Sequence, residues 1–590
     1  MSGTAPSGGR ADKLGRLPGF VFAACAAVLV ALVASAFTPA QPPPPPTAEY
    51  APSAVSPIKN PPPQQVSQQG DNTGKGGKGD KEGSGTGINT PKPSPSVDAS
   101  LPPKNQRDPL EHPCYGNPPR QTPDPESPPC VTRSIAATDN GGETAVGVDS
   151  TTITISLMTD QAAQGNALLK YFNSHFNLYG RNVVASQKTA GCFGADTPQK
   201  MANVAKTNAE AEIFAGVGFC DTKGREHYYY SELAKRGVVS VANRPTIATE
   251  KDLAKNHPYE WTWFPTFDIG QQHDAQLACA LKGRPAKHAG AALSLNTRKY
   301  GVFYNTFTDS ADPDLSTLKS TLSRCGITAE FAGITAASGG GTGGQGYTQE
   351  SIQQVNTAIN QMSRDGVTTV ILLTHADTSK QIAQYASGQG YEPELLLSSY
   401  TYSDFDLYAS ALPSNESAHL FGPTIWNRFI HPGQEYWYSA MREGDSTYQY
   451  NVATDYYNTW YLYKPLLMFF SGLQMAGPNL TPKTFAEGLQ GTSEVWKWPE
   501  VAELGIQPGV YANPDVPGHA EGKVTVQPGQ HSYVADASLI WFDPATPNND
   551  YGTPGSFCYL NSGKRFALGS YTAALDDAFF NRTNDCGRYG

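Results

Sequence analysis

From residue 151 onward, short apolar runs alternate with stretches of helical spacing. "TTITISLM" (151–158) is β-branched and predicts a strand. "GNALLKYFNSHFNLYG" (165–180) puts Leu168, Leu169, Phe172, Phe176 and Tyr179 on one face and predicts a helix. "NVVASQ" predicts a strand, "TPQKMANVAKTNAEA" a helix, and "IFAGVG" and "VVSVA" two further strands. The alternation resumes with "KYGVFYN", a helix near 314–325, "ITAEFAGI", a helix near 349–364, "TTVILLT", a helix near 378–388 and "ELLLSSY". Continuous apolar strands between helices indicate parallel sheets covered on both faces. The units are too many for one sheet, so the pattern predicts two α/β lobes. Residues 457–490 then predict two helices, the second capped near Thr481. Past about 500, "SLIWFD" and "KRFALGSY" predict short strands among Pro/Gly-rich segments.

The first 110 residues follow a different pattern. Arg10, Lys13 and Arg16 precede an uncharged run, Phe20 to Phe37, long enough to cross a bilayer. Ala34-Ser35-Ala36 also fits a cleavage site, so 1–37 reads as a signal anchor or signal peptide. Residues 38–110 are Pro-rich, then Gly-rich and polar, and read as a disordered linker of about 70 residues, spanning on the order of 50 Å. A cystine-bearing lead-in, 111–147, precedes the ordered part. The chain is 590 residues long with a net charge of −10, which argues against a nucleic-acid partner. Outside the apolar run it has eight cysteines, an even number that reads as disulfides in an exported protein.

Local catalytic motifs are missing from the sequence. It contains no G-x-x-x-x-G-K-[ST] phosphate loop, no G-x-S-x-G elbow and no H-E-x-x-H pair. A literal G-x-G-x-x-G at Gly339–Gly344 lies in a nearly pure glycine run, and the next helix cap comes only near Thr348. A dinucleotide loop turns directly into its helix, so this run reads as a surface loop. The histidines are scattered. Tyr228, Tyr229 and Tyr230 read as core and rim packing rather than a ligand stack. No cofactor, metal or catalytic residue is expected.

Taken in order, several phrases resemble the extracytoplasmic solute-binding proteins of ABC transporters with the type I periplasmic-binding fold, especially the branched-chain amino-acid-binding family. "GVDSTTITISLMT" is similar to that family's opening strand, and "LLKYFNSHFNLYGRNVVASQ" to its first helix and second strand. "CFGADTPQKMANVAKTNAEAEIFAGVGFC" is similar to its cystine-closed segment, and "WFPTFDIGQQHDAQLACAL" to its first crossover. "DGVTTVILLTHADTSKQIAQYASGQGYEPELLLSS" resembles its second-lobe strand–helix–strand. The resemblance implies two doubly wound parallel-sheet lobes joined by three crossovers: 148–268 and 426–500 as lobe 1, 269–425 as lobe 2, and 501–590 returning to lobe 2. It implies the cystines Cys192–Cys220 and Cys279–Cys325, with Cys114–Cys130 and Cys558–Cys586 as local pairs.

The family's ligand contacts fall on Asp221, Thr222, Asn243 and Thr246 in lobe 1 and on Phe307, His375, Tyr400 and Tyr402 in lobe 2. Many relatives have serine where this chain has Asp221, whose charge disfavours a carboxylate ligand and favours an amine or polyol. The implied function is non-catalytic binding of a small-molecule solute for an ABC transporter permease, with the membrane contacted through the N-terminal helix. A receptor ectodomain of the same fold is the alternative, and an exported hydrolase a more distant one.

Overall fold

The computed structural model describes residues 113–578 and 585–586, apart from 160, 192–194, 196, 220–225, 243–246, 308–310, 337–347, 399–402, 429, 431, 452–454, 506–528 and 549–553. Residues 20–37 lie outside this set. Among the described residues no helix is long and apolar enough to cross a membrane.

Five parallel strands build the first sheet: β1 (Thr152–Met158), β2 (Asn182–Ala185), β3 (Ala215–Gly218), β4 (Val239–Ala242) and β5 (Glu260–Thr262). Their spatial order is β2-β1-β3-β4-β5. Between them run α1 (Ala162–His175), α2 (Pro198–Glu210), α3 (Glu226–Lys235) and α4 (Glu250–Ala254). The second sheet starts after α5 (Phe267–Leu281) with β6 (Tyr300–Phe307), β7 (Ala329–Ala336), β8 (Thr369–Leu373), β9 (Glu394–Leu397) and β10 (Leu420–Thr424). These lie in the order β7-β6-β8-β9-β10, so the two sheets are wound alike. Helices α6 (Ser316–Arg324), α7 (Gln349–Arg364) and α8 (Ala376–Gly388) connect them.

The chain passes between the sheets three times. Residues 263–266 lead from β5 into α5. After β10 the chain returns to the first sheet through α9 (Tyr436–Gly444), α10 (Asp455–Ala476) and α11 (Pro482–Leu489), with α9 packed on α1 and α10 on β3 and β4. Ser532 then bridges Thr262 in parallel. From there the chain enters β11 (Ala537–Asp543), which runs antiparallel to β10. β12 (Ser556–Tyr559), β13 (Arg565–Phe566) and β14 (Asp585–Cys586) extend that edge.

Local chemistry explains the element ends. Thr481 caps α11 through a reciprocal pair with Thr484, and Pro482 occupies the first turn, where its missing N–H costs nothing. Thr348 accepts from Ser351 N–H at the start of α7.

Two elements depart from the sequence pattern. The helix expected over 165–180 ends at His175, and Phe176 is already extended. The Asn177 backbone N–H donates to Gln474 Oε1 (2.9 Å), and its carboxamide accepts from Tyr179 N–H (3.1 Å) and donates to the Arg133 carbonyl (2.7 Å). Side-chain capping replaces the next helical turn, while Phe176 and Tyr179 stay buried. "KRFALGSY" forms a strand only at Arg565–Phe566, because Ser570 N–H turns back to the Ala567 carbonyl.

Cystines join Cys114 to Cys130, Cys279 to Cys325 and Cys558 to Cys586. Cys192 and Cys220 lie outside the described residues. Asp543, Cys558 and Cys586 have the spacing of metal ligands, but both sulfurs are used in a disulfide.

Candidate functional site

In open α/β sheets, ligands sit beyond the carboxyl ends of the strands. Here the carboxyl ends of both sheets are connected by a run of buried rings. Phe219, directly after β3, lies 5.2 Å from Tyr461 of α10 between ring centroids. Tyr461 lies 5.3 Å from Trp426, two residues past β10. Trp426 in turn meets Phe264 of the first crossover at 5.0 Å and Phe405, beyond β9, at 4.5 Å. Each ring is nearly or fully buried. The result is an aromatic floor made by both lobes and two crossovers. Offset and edge-on ring packing of this kind contributes beyond area burial.

The wall on the second lobe is polar. Asn305, near the end of β6, accepts the His375 backbone N–H at 2.6 Å and donates to Thr378 Oγ1 (3.2 Å) and the Ile334 carbonyl (3.3 Å). It thereby fixes the start of α8 against β6 and β7. His375 is the N-cap of that helix, with Nδ1 3.5 Å from the Asp377 backbone N. Thr374, Ser379 and Ser403 follow as linked hydroxyls at 2.8 and 3.0 Å. Behind them, Thr424 donates to Asp404 at 2.6 Å. Burial holds the Asp274 carboxyl well above its ordinary range; a hydrogen bond from Ser398 opposes this and the Asp404 charge adds to it.

The wall on the first lobe is braced from inside. Tyr230 donates to the Gly218 carbonyl at 2.7 Å, supporting the end of β3. The Asn208 carboxamide donates to Tyr229 Oη (2.9 Å) and Ser156 Oγ (3.1 Å) and accepts from Ala190 N–H (2.6 Å). Burial pushes the Tyr229 hydroxyl up to about 12. Tyr229 and Tyr230 are therefore core residues, and Tyr228 packs at their rim.

Two of the eight sequence-derived contact residues can be located. Phe307 ends β6, half-buried, and His375 follows β8, the strand paired beside β6. Asp221, Thr222, Asn243, Thr246, Tyr400 and Tyr402 lie outside the described residues, as does the glycine run 339–344. Phe219, Ala242 and Ser398 stand at the carboxyl ends of β3, β4 and β9. Sequence reading missed the aromatic floor and the Asn305 brace. Its available signal was the aromatic density of "WFPTF" and the lone tryptophan of "GPTIWNR" at the crossovers.

No family model matches the sequence, and no curated protein matches it. Solved structures do match. A substrate-binding protein of an ABC transporter from Aeropyrum pernix gives a TM-score of 0.49 at 11% identity, over 73% of this chain and 100% of that one. A fatty acid ABC transporter substrate-binding protein from Thermomonospora curvata gives 0.48 at 13%, over 73% and 97%. A possible leucine/isoleucine/valine-binding protein from Rhodopirellula baltica gives 0.42 at 10%, over 71% and 96%. At these identities the likeness carries no ligand or activity to this chain, whose two-lobe architecture stands on its own strand order and crossovers.

Proposed function

We propose that this protein binds a small solute between its two lobes, outside the cytoplasm, and delivers it to an ABC-type importer without altering it. One observation carries the reading: the carboxyl ends of two identically ordered sets of five parallel strands meet over one aromatic floor, with three crossovers beside it. Lobes joined in this way close by hinge motion around a ligand. The three cystines support an oxidising compartment. In this reading Asp221, Thr222, Asn243 and Thr246 contact the solute from one side, and Phe307, His375, Tyr400 and Tyr402 from the other. Asp221 selects an amine or polyol over a carboxylate. Native mass spectrometry of the full chain, followed by calorimetry against a panel of amines, polyols and carboxylates, tests this. Stoichiometric capture of an unaltered small molecule is expected. Turnover of the captured molecule, or no binding across the panel, counts against it.

A further inference from the structure

The lead-in at 113–131 is not a spacer. Its cystine Cys114–Cys130 closes a loop around two carboxylates, Asp124 and Glu126, which are only 1% and 2% exposed. Both meet Lys464, in the middle of α10 and 4% exposed. Lys464 Nζ is in short contact with Glu126 Oε2 and lies 3.6 Å from Asp124 Oδ2. The site is walled by rings. Nζ stands 5.1 Å from the centroid of Trp263, which packs at 4.5 Å on Tyr533, and Tyr533 donates to the Glu126 carbonyl at 2.9 Å.

Asp124 is anchored separately. It accepts from the Glu126 backbone N–H at 2.8 Å and from Tyr463 Oη at 3.0 Å, and the buried Arg120 guanidinium feels its charge. The two carboxylates differ in place: Glu126 is in contact with the amine, while Asp124 stands farther from it and is fixed by Tyr463 and a backbone donor.

We propose that Lys464 and Glu126 condense to an intramolecular isopeptide bond, with Asp124 as the proton carrier. The ammonium gives one proton to the Glu126 carboxylate and becomes a neutral amine. The amine attacks Glu126 Cδ and a C–N bond forms; the nitrogen then gives its second proton to Asp124, which passes it to the departing oxygen. The C–O bond breaks and one water leaves. No oxidant or co-reactant is needed. Two effects favour the step. Holding amine and carboxyl in contact in a water-poor site supplies an effective molarity of about 10⁵–10⁸ M. The amide also removes two charges from a buried site where solvation is lost, and leaves Asp124 with Tyr463, Arg120 and a backbone donor. The product ties the segment that continues into the Pro/Gly-rich N-terminal region covalently to the helix beneath the crossovers.

Mass spectrometry of the reduced, denatured full-length protein tests this directly. Trypsin releases residues 121–133, and because Lys464 precedes Pro465 it also releases 443–483 as one piece. The wild type is expected to give these two as a single branched species, one water lighter than their sum, with fragmentation placing the link at Glu126. Separate peptides at their sequence masses overturn the proposal, whether or not any variant folds. A link at Asp124 overturns the assigned roles. Lys464→Met should abolish the branched species, and Asp124→Asn should slow its appearance at least tenfold. An Asp124→Asn protein that condenses as fast as wild type removes Asp124 from the mechanism.

Discussion

His273 of α5 has both ring nitrogens occupied. Nδ1 lies 2.6 Å from Tyr571 Oη and Nε2 3.0 Å from the Ala535 carbonyl, in the last crossover. Nε2 must therefore carry the proton, and the Tyr571 hydroxyl donates to Nδ1. Burial lowers the pKa to about 4, against the pull of the Ala535 carbonyl and with a further push from Arg565. The unfolded ring takes its proton near pH 6.5, so this term is full above that pH. It is lost as pH falls from 6.5 to about 4, by about 3 kcal/mol in total. Glu260 acts in the opposite sense. Burial pushes it up to about 7, so its term is present below pH 4.5 and is lost as pH rises towards 7. The raw stability curve mixes the two. Denaturant midpoints of His273→Gln, subtracted from wild type between pH 7 and 4, should show a difference that shrinks towards acid; a constant difference would be inconsistent with a neutral buried ring. Gly218 is constrained for another reason. Its φ is +124° and an added Cβ would lie 2.3 Å from the Met158 carbonyl oxygen. Gly218→Ala should cost about 1–3 kcal/mol and displace the end of β3, measurable as a shifted unfolding midpoint. Single residues were the least legible scale. Asp124 and Glu126 sit in "QTPDPESPPC", whose composition matches an exposed turn, and only the fold shows them buried against Lys464.

At the scale of elements, the apolar runs were legible because a strand covered on both faces must be apolar throughout. β8 and β9 are buried at every position. Helix ends were less legible, since α1 stops where Asn177 finds Gln474, 297 residues away in sequence. Of the antiparallel edge, β11 was legible as "SLIWFD", whereas β13 and β14 were not, because two-residue strands carry no period. Contacts between elements give two predictions. Cys279–Cys325 ties α5 to the end of α6 across 46 residues. Replacing both by Ala should cost about 2–4 kcal/mol on the chain-entropy estimate, read from denaturant unfolding; no loss would mean the reduced ensemble is already compact. Gly444 ends α9 against α1, and a Cβ there would lie 2.0 Å from the Ala167 carbonyl oxygen. Gly444→Ala should therefore push these helices apart at a cost of about 1–3 kcal/mol. Hydrogen exchange should rise in α1 and α9 and stay unchanged in the second sheet.

The whole molecule depends on how its two sheets are joined, and Trp426 is central to that join. It touches Phe264 of the first crossover, Phe405 of the second lobe and Tyr461 of the helix packed on the first sheet. The number of strand–helix units, too many for one sheet, made two lobes legible in the sequence. The join was not, because its rings come from five separate segments, each of which reads as an ordinary loop or helix residue. Trp426→Ala empties the centre of the floor. A buried tryptophan truncated to alanine costs about 3–5 kcal/mol, and here the lost contacts lie between lobes rather than within one. The sheets, their helices and Cys279–Cys325 remain intact, so the variant should still fold. Its calorimetric trace should change from one cooperative transition to two, since each lobe keeps its own core while the coupling between them weakens. Affinity for the proposed solute should fall together with this coupling, because binding must then also order lobes that the floor no longer holds in register. Scattering should show a larger, ligand-dependent change in radius of gyration in the variant than in the wild type. A single transition with unchanged affinity would mean that the crossovers alone set the lobe arrangement and that the rings only fill space.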